Sequence, residues 1–306
     1  MLHVNRQSFT WAFAAVFIVL CGWTAATQTP KAPGALRTQR IKGDLFLISG
    51  EGGNVASYVT AEGVVLVDDM FDRNHADILA QLKSVTDRPL RYVMNTHQHD
   101  DHAGGDAKML PIAEVIAHKN ARANLVAKNQ PYYEDTPGTP IGLPRVTFSD
   151  ETSVFLGGKE VRAVHFGRGH TNGDAFIYFP ELGVIHTGDM FVANMGMMIF
   201  VDYAQGGSLL EWTKTLDRAL ALDFDTVIPG HGPLVRKPDL VKFRNDMETM
   251  RNRLTGMVRQ GKSKSDIVST LESEYGWRAK GCPPSPPTGG CLAIQQVDAL
   301  IAELRQ

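Results

Sequence analysis

Cysteine is scarce, with three in 306 residues, too few for a disulfide-built scaffold. Neither charge sign dominates, since 31 basic residues stand against 33 acidic ones. That balance excludes the strongly basic surface of most nucleic-acid binders. Apolar runs are short as well. The one at Phe9–Trp23 is about 15 residues, where a membrane-spanning helix needs roughly 20. Low-complexity tracts and short-period repeats are missing. Hydrophobic residues make up 43% and charged residues 21%, ordinary values that exclude disorder and fibrous architectures. What is left is a globular chain, long enough for one large domain or two small ones.

The apolar run has its own explanation. Arg6 precedes it, and Thr24-Ala25-Ala26 follows with small side chains, the layout of a cleaved secretory signal. Residues 1–26 are therefore expected to be a signal peptide, and the protein periplasmic or secreted with no permanent membrane span. Leu20 before Cys21 disfavours a lipid anchor at that cysteine. Cleavage would also remove Cys21, leaving Cys282 and Cys291 around a Pro-rich loop. In an oxidising compartment that even pair is expected to form one disulfide.

Residues 27–40 are polar and Pro-containing, and read as a linker. Strand-like segments follow at Leu45–Ser49, Ala56–Thr60 and Val64–Val67, separated by glycine turns. Asn74–Val85 shows helical spacing of Ile78, Leu79, Leu82 and Val85. Leu90–Met94 is another strand, and Val115–Ala117 with Asn120–Lys128 repeats the strand–helix pattern. An irregular stretch, Asn129–Arg145, carries Tyr132 and Tyr133 and is a candidate lid. Strands resume at Val154–Leu156, Val161–His165, Ala175–Phe179 and Val184–His186, followed by helix Ser208–Ala221 and strand Thr226–Ile228. A long charged helix runs from Pro238 to about Met257. The expected domain is 41–262, with a C-terminal helical extension at 263–306.

One local pattern carries chemistry. His97-Gln98-His99-Asp100-Asp101-His102 leaves the end of a strand, and such an H-x-H-x-D-H arises by chance on the order of once in a thousand chains of this length. In an extended loop His97, His99 and Asp101 would share one face, with His102 turned toward a second ion. Gly104 and Gly105 would let the backbone turn sharply after it. Imidazole with carboxylate is the donor mix that Zn²⁺ prefers. Three further fragments place ligand-type residues on tight loops after strands: GRGHTNGD with His170, HTGD with Asp189, and PGHG with His231.

In order and approximate spacing, these four motifs resemble the metallo-β-lactamase superfamily over residues 41 to about 235. The resemblance implies an α+β fold, a four-layered αβ/βα sandwich with a dinuclear metal site at the sheet edge. It implies that His97, His99 and His170 hold one metal, that Asp101, His102 and His231 hold the other, and that Asp189 bridges them. Asp68, closing the strand VVLVDD, matches the family's buried aspartate that braces the histidine loop. Two Zn²⁺ per chain are the expected cofactors, with iron or manganese compatible. His3, His75, His118, His165 and His186 match no ligand of the family.

The implied activity is hydrolysis of an ester, lactone or amide in a small molecule, by a metal-bridging hydroxide oriented by Asp101, which makes Asp101 the catalytic residue. β-Lactam hydrolysis itself is less favoured. The main class B subclass has Cys, and another Ser, where this chain has Asp189, a choice it shares with the glyoxalase II, lactonase and phosphodiesterase branches. The same motifs are compatible with a phosphodiesterase and with a mononuclear iron persulfide dioxygenase. No nucleic-acid partner is expected. Met190, Phe191, Met195, Met197, Met198, Ile199 and Phe200 line either an apolar substrate groove or the core. Tyr132 and Tyr133 are weaker candidates for the same groove. The sequence leaves the oligomeric state open.

Overall fold

The computed structural model describes, apart from residue 1, residues 35–127, 142–193, 196–197, 199–278 and 296–306. All of these belong to the unit Gly34–Gln306. The signal segment, Tyr132, Tyr133, Met195, Met198, Cys282 and Cys291 lie outside the described residues.

Strands β1 (Arg37–Lys42), β2 (Leu45–Ser49), β3 (Val55–Val59) and β4 (Val64–Val67) form an antiparallel meander. Helix α1 (His75–Val85) then crosses over to β5 (Leu90–Met94), which lies parallel to β4. Two short helices, α2 (Asp100–Ala103) and α3 (Asp106–Met109), lead to β6 (Glu114–His118). Helix α4 (Lys119–Ala127) and strand β7 (Val146–Phe148) follow. Sheet order is β1-β2-β3-β4-β5-β6-β7.

The second sheet contains β8 (Glu151–Leu156), β9 (Lys159–Val164), β10 (Phe176–Phe179), β11 (Val184–His186), β12 (Thr226–Ile228) and β13 (Val235–Arg236). It is ordered in sequence from β8 at one edge to β13 at the other. Helix α5 (Leu209–Leu220) links the parallel pair β11 and β12, as α1 links β4 and β5. Helices α6 (Lys237–Arg259), α7 (Lys264–Tyr275) and α8 (Val297–Leu304) complete the outer layer.

Alternation along the strands builds the layers. In β4, Val65 and Val67 enter the core between the sheets, whereas Val64 and Leu66 pack with Ile78 and Leu82 of α1. In β10, Ile177 and Phe179 face the other sheet, and Phe176 and Tyr178 meet α5 and its neighbours. Both faces of each sheet are covered, so these central strands are apolar throughout. The result is the expected helix–sheet–sheet–helix α+β sandwich.

Two expectations change. Residues 37–40 of the expected linker belong to β1, which pairs with β2. As an edge strand it needs only backbone pairing, and its polar RTQRIK sequence hides it. The loop expected to run extended through Asp101 turns helical at Asp100. The C-terminal extension packs on the domain, as its amphipathic pattern leads one to expect: Ile267, Leu271, Leu300 and Leu304 share one hydrophobic cluster with Trp212 and Leu216 of α5.

Candidate metal centre

The parallel strands deliver their C-terminal loops to one edge. After β4 comes Asp68, in the left-handed region at φ 60°, a costly conformation for a non-glycine residue. It is held by the bonds it makes. Its Oδ1 accepts from Thr96 N at 2.7 Å, and its Oδ2 from Thr96 Oγ1 at 2.8 Å and from His102 Nδ1 at 2.8 Å. One buried carboxylate thus ties the start of the histidine loop to its end.

Within that loop His97 and His99 are in extended chain, while Asp101 and His102 ride the first turn of α2. The helix separates the two pairs, so Asp101 leaves the face of His97 and His99 and joins His102. Gly104 follows with φ −66° and is no left-handed turn. Its hydrogen is required by close packing, because a Cβ there would lie 2.3 Å from Asp100 O and 3.0 Å from Phe71 Cα.

Three-residue donor groups converge from both sheets, and in each the ligand atoms lie within 4.8 Å of one another: His97/His99/His170, His97/His102/Asp189 and Asp101/His102/His231. His99 Nδ1 is 3.2 Å from His97 Nε2 and 2.9 Å from His170 Nε2. His231 Nε2 is 3.2 Å from His102 Nε2 and 3.1 Å from Asp101 Oδ2. Asp189 spans the groups. Its Oδ1 is 3.2 Å from His102 Nε2 and its Oδ2 is 3.8 Å from His170 Nε2.

The outer ring nitrogens test whether cations fit. His97 Nδ1 faces Thr96 Oγ1 at 3.1 Å. That hydroxyl gives its hydrogen to Asp68, so the imidazole must donate. His99 Nε2 donates to Asp202 Oδ2 at 3.0 Å, His170 Nδ1 to Phe200 O at 2.8 Å, and His102 Nδ1 to Asp68. Each outer N–H thereby fixes the inner nitrogen of the neutral ring as a lone pair. With the rings neutral, the facing lone pairs of His97, His99 and His170 at 2.9–3.2 Å repel unless a cation lies between them. The donor set fits divalent metals.

Electrostatics divide the same way. Burial first, then the surrounding imidazoles, hold His97 well below its ordinary range. Burial and His99 push His170 down to about 4. Burial lowers His231 too, but the carboxylates of Asp189 and Asp101 overcome it and lift it to about 10. His97 and His170 are therefore neutral imidazoles, whereas at His99 burial is outweighed by the hydrogen bond and charge of Asp202, with Asp101 and Asp189, which raise it. His102 and His231 are likewise paired with carboxylates, and a metal there would displace protons.

Several supporting residues carry no local sequence signal. Asn54 Nδ2 donates to Pro229 O at 2.9 Å and Gly232 O at 2.8 Å, gripping the loop of His231. His186 receives Gly188 N on Nδ1 and donates from Nε2 to Asn54 O at 2.9 Å. It braces the Asp189 loop without being a ligand. Asp202 holds His99, and nothing in its surroundings VDYA advertises the role. Met190 and Phe191 do not line a groove. They are 1% and 6% exposed in the core under α5, where Trp212 Nε1 donates to Met190 O and the Phe191 ring meets Phe243. Ile199 is buried with them. Phe200 is half-buried near the rings of His99 and His170.

Comparison with known proteins agrees with this fold. Residues 49–231 match the family described as the metallo-beta-lactamase superfamily. Among curated proteins, the chain is 26% identical over 176 residues to metallo-beta-lactamase IND-1 of Chryseobacterium indologenes, covering 56% of this chain and 69% of that one. It is 27% identical to a type 2 metallo-beta-lactamase of Bacillus cereus, covering 62% and 71%. It is 24% identical to the 2,4-dinitroanisole O-demethylase subunit alpha of a Nocardioides strain over 64% of this chain, and spans only 58% of that relative. Among solved structures, a metallo-beta-lactamase from Pontibacter korlensis superposes with a TM-score of 0.60 at 19% identity, over 70% of this chain and 99% of the other. DIM-1 metallo-beta-lactamase gives 0.58 at 18%, over 71% and 99%. At those identities the structural likeness speaks for the fold alone.

Proposed function

The chain belongs to the metallo-β-lactamase superfamily, most of whose members are hydrolases, and from that premise we propose that it is an exported zinc hydrolase cleaving an ester, lactone or amide bond in a small molecule. The observation that carries this reading is Asp189, whose two oxygens face two separate donor groups. His97, His99 and His170 would hold one cation, and Asp101, His102 and His231 the other. When bound, such a pair supplies Lewis acidity, acidifying a water and taking up the negative charge of an oxyanion.

The chain's own residues do the rest. Asp101 is part-exposed at the mouth, and its Oδ2 lies 3.1 Å from His231 Nε2. Against the effect of burial, His102 and His231 hold it well below the usual carboxylate range, so it stays ionised and can orient an attacking water. The outer hydrogen bonds of His97, His99, His102 and His170 keep the rings from rotating during turnover. Among the described residues, no cysteine or serine is needed as nucleophile. Export is supported by Arg6, the apolar run and the small residues at Thr24–Ala26, and no described helix is long and apolar enough to cross a membrane.

β-Lactam cleavage is the second reading, favoured by the names of the curated relatives and opposed by an aspartate at position 189. Metal analysis of purified protein followed by a substrate panel tests both. Nitrocefin, a homoserine lactone, an aryl ester, a phosphodiester and 2,4-dinitroanisole make up the panel. Two zinc ions per chain with turnover of an ester or lactone is the expected result. A single iron, or no activity on any carbon ester or amide, would sink it.

A further inference from the structure

The family match ends at residue 231, yet residues far beyond it hold the wall of the centre in place. We propose that Gln296, in the C-terminal extension, is a positioning residue that acts on His170 through the Phe200 carbonyl. This rests on the reading of His170 as a metal ligand.

Gln296 is 8% exposed and makes two hydrogen bonds to one short stretch of backbone. Its Oε1 accepts from Val201 N at 2.6 Å, and its Nε2 donates to Ile199 O at 3.1 Å. Ile199 C=O and Val201 N–H flank Phe200 on one edge of the chain. Successive peptide groups point to opposite edges, so gripping that edge turns the Phe200 carbonyl the other way. There it accepts from His170 Nδ1 at 2.8 Å. This bond keeps the proton on Nδ1 and the lone pair on Nε2, toward His99. The amide side chain suits the task because it offers a donor and an acceptor side by side to such an edge.

Two other residues of the extension anchor the same wall. Trp277 Nε1 donates to Met197 O at 2.7 Å. Glu303 of α8 accepts from Tyr203 Oη at 2.8 Å, from Ser208 Oγ at 2.6 Å and from Leu209 N at 3.0 Å. Between these anchors lies Asp202, bonded to His99. Thus the wall that supplies the outer partners of two ligands is fastened at Met197, Ile199, Val201, Tyr203, Ser208 and Leu209 to Trp277, Gln296 and Glu303. The extension completes the metal shell from behind.

Two measurements on the full chain test this. Zinc affinity is read by competition with a chromophoric chelator, and the tautomer of His170 by ¹⁵N NMR of the metal-free protein. Gln296→Ala is expected to weaken zinc binding about tenfold, the lower range for outer partners of a metal ligand, and to mix the His170 tautomers. Gln296→Glu keeps the bond to Val201 N but loses that to Ile199 O, and should fall between. Leu271→Ala is the control, since Leu271 is buried in α7 within the same cluster and makes no hydrogen bond to the wall. It should lower the melting temperature while leaving affinity and tautomer unchanged. If Gln296→Ala leaves both readouts at wild-type values, or Leu271→Ala shifts both equally, the proposal is overturned. A wild-type chain that binds no zinc would sink the functional reading instead, while the NMR still decides the link to His170.

Discussion

At the scale of single residues, roles in the centre follow from which atom of each side chain is already engaged. Asp101 keeps a part-exposed carboxylate at the mouth, whereas Asp68 spends both oxygens on Thr96 and His102. Replacing Asp101 by Asn should therefore spare folding and cut kcat by roughly 10²-fold, the scale of a misplaced reacting group. Circular dichroism with steady-state kinetics checks this. Asp202→Ala removes the acceptor of His99 Nε2 and is expected to weaken zinc binding about 10- to 100-fold, measured by chelator competition. The ligand-type residues were legible in the sequence because they crowd into motifs on short loops. Asp202, Asn54 and the Phe200 carbonyl were not. Their partners lie 103, 175 and 30 positions away in the chain, and any polar group of suitable reach would serve.

At the scale of elements, periodicity located the buried strands and long helices, since both obey burial patterns. Leu45–Ser49, Val64–Val67, Leu90–Met94 and Val184–His186 have the expected limits. It missed β1, β7 and the two-residue β13, edge or short strands whose exposed side chains show no pattern. It also missed the helical turn at Asp100, whose four residues are too few for any period. The extension shows what an element can owe to its cap. Ser263 Oγ accepts from Asp266 N at 3.2 Å, while Asp266 Oδ2 accepts from Ser263 N at 3.0 Å, a reciprocal capping box for α7. Ser263→Ala should cost about 1 kcal/mol, read from a urea unfolding midpoint. Zinc affinity should not change, because this cap lies at the far end of α7 from Trp277.

At the scale of the molecule, the centre joins loops from both sheets, so metal and fold are coupled. Ligand binding to the native state alone raises its stability by mass action. Chelation should lower the melting temperature reversibly, and re-addition of zinc should restore it. A second coupling lies away from the centre. His118 and His165 stack with ring centroids 4.0 Å apart. Burial first, then His165, pushes His118 down to about 4, and burial lowers His165. Unfolding releases both to ordinary values near 6.5. Below that pH the unfolded chain binds more protons than the folded one, so stability is full above about pH 6.5 and is lost as pH falls toward about 4. His118→Gln should flatten the difference in unfolding midpoint between these limits. If the variant's pH dependence matches that of the wild type in metal-free protein, the pair does not contribute.

The sequence by itself marked the buried strands and long helices by their apolar patterns, and its four motifs, through their resemblance to the metallo-β-lactamase superfamily, implied the layered α+β fold and seven ligand-type residues. Tertiary structure decided which ring nitrogen of each histidine faces inward, because that depends on acceptors brought from Thr96, Asp68, Phe200 and Asp202 by folding. It also decided the place of the C-terminal residues. Their amphipathic pattern says that they pack, while only the packed chain shows that Gln296 and Glu303 grip the wall behind His99 and His170.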